Sequence, residues 1–176
     1  DLGAVFLHGD NKIYLTFDEG YENGYTAKIL DTLKEKNVSA AFFITAPYAK
    51  EQTSLVQRMI NEGHIVGNHT INHPNLPKLA NSDKISEELT GMNKLVMDLY
   101  NYEMKYMRPP EGEYSEKVLS IANDLGFKTV LWSFAYKDWD TNSQKGKEYA
   151  FKEVTSYLHD GAVLLLHAVS KDNADA

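Results

Sequence analysis

No cysteine occurs among the 176 residues. That excludes a disulfide framework and any thiolate metal site, and leaves the redox compartment unmarked. Long apolar runs are also missing. The longest, such as "AVLLL" at 162–166, is far shorter than the roughly 20 residues needed to span a bilayer. Positive charge is in deficit, with 18 Lys and Arg against 25 Asp and Glu, a net charge of -7. This argues against a nucleic-acid groove or an anionic-membrane binder. No repeat, low-complexity tract or long linker divides the chain, and no signal peptide is visible, although the abrupt start at Asp1 allows for a removed leader. The first apolar run is followed by "FDEGYENG", acidic where a dinucleotide fold presents amides to phosphate.

What is present is one domain's worth of alternating strand and helix signals, with 43% hydrophobic and 24% charged residues, an ordinary globular mixture. "KIYLTF", "AAFFIT", "HIVGNH", "MKYMR", "KTVLWSF" and "AVLLLH" read as six strands. Between them, helices are expected over 24–36, 53–62, 82–100 and 146–158, with another after Ser115. In the long one, Ile85, Leu89, Met92, Val96 and Leu99 are spaced 4, 3, 4, 3. Gly63 and Gly126 are placed as helix stops. "SKDNADA" reads as the start of one more helix, with Ser170 as N-cap. Strict βα alternation implies parallel strands with right-handed crossovers, hence an open doubly wound sheet or a barrel.

In a barrel, chemistry sits at the C-terminal strand ends. There the sequence places Asp18-Glu19, then Asn68-His69 with His73, Arg108-Pro109-Pro110, Asp138-Trp139, and His167. Each alone has an ordinary explanation: a solvated acidic turn, chance histidines, a surface arginine, a core histidine. Together they suit hydrolysis. His69 and His73, four apart, would face one side if the segment were a helical turn, as a metal requires. Two imidazoles and one carboxylate form an open, catalytic type of ligand set. Adjacent strand residues face opposite ways, so Asp18 and Glu19 need not share a role. Arg108 suits holding a carboxylate ionised, and Asp138 suits tuning His167 as a proton donor. The amides of Glu111-Gly112 suit an oxyanion, and a tryptophan at the rim suits a sugar face. Two sequons, at Asn37 and Asn68, read as chance.

Five motifs then stand in one order: "TFDEG" (16–20), "HTINH" (69–73), "RPPEG" (108–112), "DW" (138–139) and "LLLH" (164–167). The set resembles the polysaccharide deacetylases of the NodB-homology type, carbohydrate esterase family 4. "YENGY", "EGHIVGNH" and "LLLHAVSKDNADA" look like the subgroup that de-N-acetylates muramic acid in spore cortex peptidoglycan, forming delta-lactam. The resemblance implies an α/β fold, a distorted (β/α) barrel of about seven or fewer parallel strands over 1–176. A further helix and strand would then be expected beyond this segment. It implies Asp18 as general base, Arg108 orienting it, and His167 as general acid tuned by Asp138. A divalent metal, zinc first, with cobalt, nickel or manganese as alternatives, would be held by Glu19, His69 and His73. Glu111 and Gly112 would face the oxyanion, and Trp139 and Leu166 would line the sugar groove. The substrate class would be an N-acetylated glycan, either muramic acid or glucosamine in peptidoglycan or chitin-like oligomers, at an extracytoplasmic site. The first Asp of the DxxDW motif is Ala135 here, and Glu19 replaces Asp at the third-ligand slot. A glycan-binding module with impaired metal binding, or a hydrolase of another amide, are the rival readings.

Overall fold

In the computed structural model, which describes residues 2–176, all the named strands belong to one sheet and run parallel. Along the chain the elements are β1 (Ala4–Val5), β2 (Tyr14–Glu19), α1 (Thr26–Glu35), β3 (Ala41–Ile44), α2 (Ala46–Glu51), α3 (Thr53–Asn61), β4 (Ile65–Asn68), α4 (Ser82–Tyr100), β5 (Tyr106–Met107), α5 (Glu116–Asp124), β6 (Lys128–Val130), β7 (Phe134–Ala135), α6 (Lys147–Ser156), β8 (Val163–His167) and α7 (Lys171–Asp175). The strand order is β1-β6-β5-β4-β3-β2-β8-β7.

Chain connectivity forces this sheet to curl. β6 and β7 are six strand spacings apart in that order, roughly 29 Å in a flat sheet. Only residues 131–133 join them, and four residue steps reach at most about 14 Å. The two sides of the sheet must therefore approach, giving the expected distorted barrel. The gap is bridged by an antiparallel contact between Leu7 and Ala162, and the His8 N–H donates to the Gly161 carbonyl at 2.8 Å.

The strand count differs from expectation. "KTVLWSF" is not one strand but two, β6 and β7, on opposite sides of the gap. β1 and α2 were not anticipated, and the total of eight exceeds seven.

The outer face of the sheet packs on the helices. Phe17 and Phe42 stack at 5.2 Å. Around them lie Val66, Leu164 and Leu166, with Leu30 of α1, Val56 and Met59 of α3, Leu89, Met92 and Val96 of α4, and Val118 of α5. Each such side chain contributes about 1.5–3 kcal/mol by leaving water. Leu99, expected on the buried stripe of α4, is instead largely exposed. Caps fix the helix starts: Asn81 Oδ1 accepts from Lys84 N–H, Ser115 Oγ from Val118 N–H, and Ser170 Oγ from Asn173 N–H. Gly63 and Gly126 end α3 and α5 in the left-handed region, as expected.

Gly161 is where the gap depends on a glycine. Its φ is +74°, and a Cβ there would stand 1.6 Å from the His8 carbonyl oxygen. Gly161→Ala is expected to cost about 2 kcal/mol, lowering Tm by roughly 4–8 °C. An unchanged thermal melt would show that the gap is not held closed at this point.

Candidate active site

Strand alternation decides which side chains meet. In β2, Leu15 and Phe17 face the helices, so Asp18 faces inward; in β8, Leu164 and Leu166 face outward, so Leu165 and His167 face inward. Asp18 and His167 are register partners on adjacent strands. The inward residues open into a pocket of about 790 Å³ whose lining includes Asp18, Tyr21, His69, His73, Glu111, Trp132, Ala135, Trp139, Leu165 and His167.

Asp18 is held by Arg108. The guanidinium is fully buried, and its Nη1 donates to Asp18 Oδ1 at 2.9 Å. Its Nε and Nη2 donate to the carbonyls of Val130 and Leu131, at 2.9 and 3.0 Å. The plane lies over the Phe43 ring, 4.3 Å from the centroid. Burial pushes the Asp18 carboxyl up, but the nearby Arg108, His69 and His167 outweigh it, so its pKa falls below the ordinary 3.8. Oδ2 remains free of Arg108, 3.5 Å from His69 Nε2.

The two histidines do not lie on a helical turn. Residues 69–73 form an irregular loop in which Thr70 and His73 adopt φ of +69° and +55°. Glu88 from α4 clamps this loop by accepting the N–H groups of Ile71 and Asn72, each at 2.9 Å. The rings still meet, 4.9 Å apart and edge to face. His69 Nδ1 lies 2.8 Å from the Arg108 carbonyl, which can only accept, so Nδ1 carries the proton and Nε2 presents its lone pair. Burial lowers the His69 pKa, keeping it neutral. This is how metal-ligating imidazoles are commonly oriented.

Glu19 does not join them. It alternates with Asp18 and faces outward, fully buried, with both carboxyl oxygens lacking a hydrogen-bond partner. The charges it feels are those of Glu22 and Asp18, and it acts in turn on Tyr48 of α2. Among the described residues, no three His, Asp or Glu side chains converge as a metal-binding group. What stands together is the imidazole pair of His69 and His73, with the His69 Nε2 lone pair available to a metal, and Glu19 is no part of it.

At the opposite wall, Asp138 Oδ1 lies 2.7 Å from His167 Nδ1. Asp138 Oδ2 accepts from the His167 backbone N–H and from Asn173 Nδ2, at 2.7 and 2.6 Å. Burial alone would lower the His167 pKa, but the Asp138 hydrogen bond and charge raise it above 6.5. Nδ1 is thereby committed, leaving Nε2 for the pocket. Trp139, about half exposed, stands edge-on to this ring at 6.0 Å.

Two expected substrate contacts are corrected. Leu166 lines a separate apolar cavity of about 280 Å³ beside α1 and α6, and Leu165 takes its place at the site. The Gly112 N–H is used by the Pro109 carbonyl at 3.1 Å, leaving Glu111 as the amide candidate. Gly112 serves instead to admit Trp132, whose Cη2 would lie 2.3 Å from a Cβ at that position. Tyr21 was not expected as a pocket residue, and Trp132, weighed from sequence as either core or a sugar-stacking aromatic, lines the pocket. Tyr21 follows the motif by one residue, and Trp132 reaches the pocket only through the break between β6 and β7.

Folded-state burial holds the Glu19 carboxyl well above its ordinary pKa of 4.5. Its contribution to stability is therefore full at low pH and is lost as pH rises toward the folded-state pKa. Glu19→Gln should melt with wild type near pH ~4 and at higher temperature above pH ~5, the gap widening with pH. The same variant should bind zinc within about twofold of wild type, because an outward-facing group outside the ligand set adds no metal–oxygen bond. Parallel melting curves, or a zinc affinity lowered tenfold, would contradict this placement.

The family model for polysaccharide deacetylase matches residues 8–130. The chain is 48% identical over 176 residues to the peptidoglycan-N-acetylmuramic acid deacetylase PdaA of Bacillus subtilis, covering 98% of this chain and 66% of that protein. The structure of PdaA superposes with a TM-score of 0.94 at 46% identity, over 99% of this chain and 75% of that one. A peptidoglycan-N-acetylglucosamine deacetylase of Bacillus cereus is 37% identical, over 89% of this chain and 56% of that protein. A family 4 pseudoenzyme from Bacillus anthracis superposes with a TM-score of 0.91 at 26% identity, over 100% of this chain and 62% of that one. The chain thus spans just under two thirds of the length of PdaA.

Proposed function

The chain belongs to the polysaccharide deacetylase family, and from that premise we propose that it hydrolyses the N-acetyl amide of peptidoglycan amino sugars, N-acetylmuramic acid first, releasing acetate and a free amine. Glucosamine in peptidoglycan or chitin-like oligomers is the alternative substrate. The observation that carries the reading is the placement, in one pocket, of Asp18, bound by Arg108 and with its pKa lowered, and His167, bound by Asp138 and with its pKa raised. A reaction on cell-wall glycan would call for an extracytoplasmic site. Among the described residues no helix is long and apolar enough to cross a membrane.

Asp18 Oδ2, not engaged by Arg108, takes the proton of the attacking water. Arg108 keeps that carboxylate ionised and aimed. The Glu111 amide donates to the oxyanion, its backbone turned by a φ of +59°. His167 Nε2 donates a proton to the departing nitrogen, and Asp138 steadies the imidazolium through Nδ1. Trp139 and Tyr21, both more than half exposed at the mouth, offer faces to the sugar. A divalent metal held by His69 and His73, zinc in the first instance, would supply Lewis-acid polarisation of the amide carbonyl.

A second reading, a glycan-binding module with weakened metal binding, draws on the outward placement of Glu19 and on the pseudoenzyme relative. Acetate release from peptidoglycan separates the two. Asp18→Asn and His167→Ala are each expected to lower kcat about 10²–10⁴-fold with folding retained. A chelator should abolish activity and zinc restore it. For the wild type, kcat/KM should follow a bell, falling below the ordinary carboxylate pKa of 3.8 as Asp18 protonates and above 6.5 as His167 loses its proton. Glycan binding without acetate release from any N-acetylated glycan would favour the module.

A further inference from the structure

N-acetylmuramic acid and N-acetylglucosamine differ only in a lactyl ether on C3, the carbon beside the one that bears the acetamide. A residue that tells them apart must therefore line the same pocket in which the amide reacts. The two sides of this pocket differ in character. On the β5 side stands the Glu111 carboxylate, tethered by Asn75 Nδ2 at 3.3 Å. On the β7–β8 side, short of His167, Ala135 and Leu165 form an uncharged stretch of wall, and Trp132, packed against Gly112, also lines the pocket.

Ala135 has the smallest side chain of that uncharged wall. Phe134 before it is buried in the helix-side core, so alternation turns Ala135 inward, where it is exposed to the pocket. It sits beside Leu165, its register partner on β8. The resembled motif has Asp at this position. An aspartate there would fill space and bring a carboxylate against any acidic substituent of the sugar. Discrimination of this kind works by removing a clash and a repulsion as much as by adding a contact.

We propose that Ala135 is a specificity-determining residue, its small uncharged side chain leaving room beside Leu165 for the lactyl ether of N-acetylmuramic acid. This rests on the muramic-acid reading above. The test compares Ala135→Leu, Ala135→Asp and Ala135→Gly with wild type on muramic-acid-containing glycan strands and on chitooligosaccharides, with Tm and zinc content measured in parallel. Ala135→Leu and Ala135→Asp should each lower kcat/KM on the muramyl substrate at least about tenfold, mainly through KM. Both should keep any chitooligosaccharide activity within about threefold, and Ala135→Gly should keep the muramyl activity. Muramyl activity retained within threefold in Ala135→Leu, or equal losses on both glycans, overturns the assignment. A wild type that releases acetate from chitooligosaccharides and not from muramyl strands overturns the muramic-acid reading itself, a separate result.

Discussion

The site depends on the buried ion pair between Arg108 and Asp18. Arg108 leaves β5 and is wholly enclosed, stacked on Phe43 of β3, donating to Asp18 of β2 and to two carbonyls at the end of β6, those of Val130 and Leu131. One side chain thus ties together four strands of a barrel whose sheet does not close by strand pairing. A guanidinium suits this because its donors are rigid and planar, and it stays charged when buried. An isolated charge in this interior would be prohibitive, and breaking a buried pair by removing one partner costs about 3–5 kcal/mol. The pair also holds the carboxylate in its ionised form, the form a general base requires. Structure and chemistry here rest on the same contacts.

Alternation along β2 and β8 sorts everything else. It sends Asp18, Leu165 and His167 into the pocket, and Phe17, Glu19 and Leu166 toward the helices. Asp18 and Glu19, adjacent in sequence and alike in charge, thereby have opposite environments. One is charged and held by Arg108. The other is enclosed without a partner, and its proton is held well above the usual pH. On the far wall, Asp138 and Asn173 around His167 repeat the logic of a catalytic group fixed by a buried neighbour.

Much of this was legible in the sequence because it follows from local period and from residue type. The βα alternation, the caps at Ser115 and Ser170, and the pairings of Asp18 with Arg108 and Asp138 with His167 were all expected, and the geometry brings these partners together. The misses were tertiary. Nothing in "KTVLWSF" marks the crossing of the gap, since the run is rich in strand-forming residues and lacks Gly or Pro. α2 does carry a sequence signal, Pro47 in its first turn. Glu19 was assigned with the histidines through resemblance, against the alternation that separates them. The loop of His69 and His73 reaches its ring pairing through two left-handed residues that a spacing rule cannot anticipate.

The account's central claim is that Arg108 sets the working state of Asp18. The pH dependence of kcat/KM for acetate release, compared between wild type and Arg108→Lys, tests it most directly. A lysine keeps the charge but cannot hold Asp18 and both carbonyls at once. The acid limb of the profile should move to higher pH in the variant, with the basic limb, set by His167 and Asp138, in place. An acid limb that stays put while only the maximum rate falls would mean that Arg108 supports the fold and leaves the base alone.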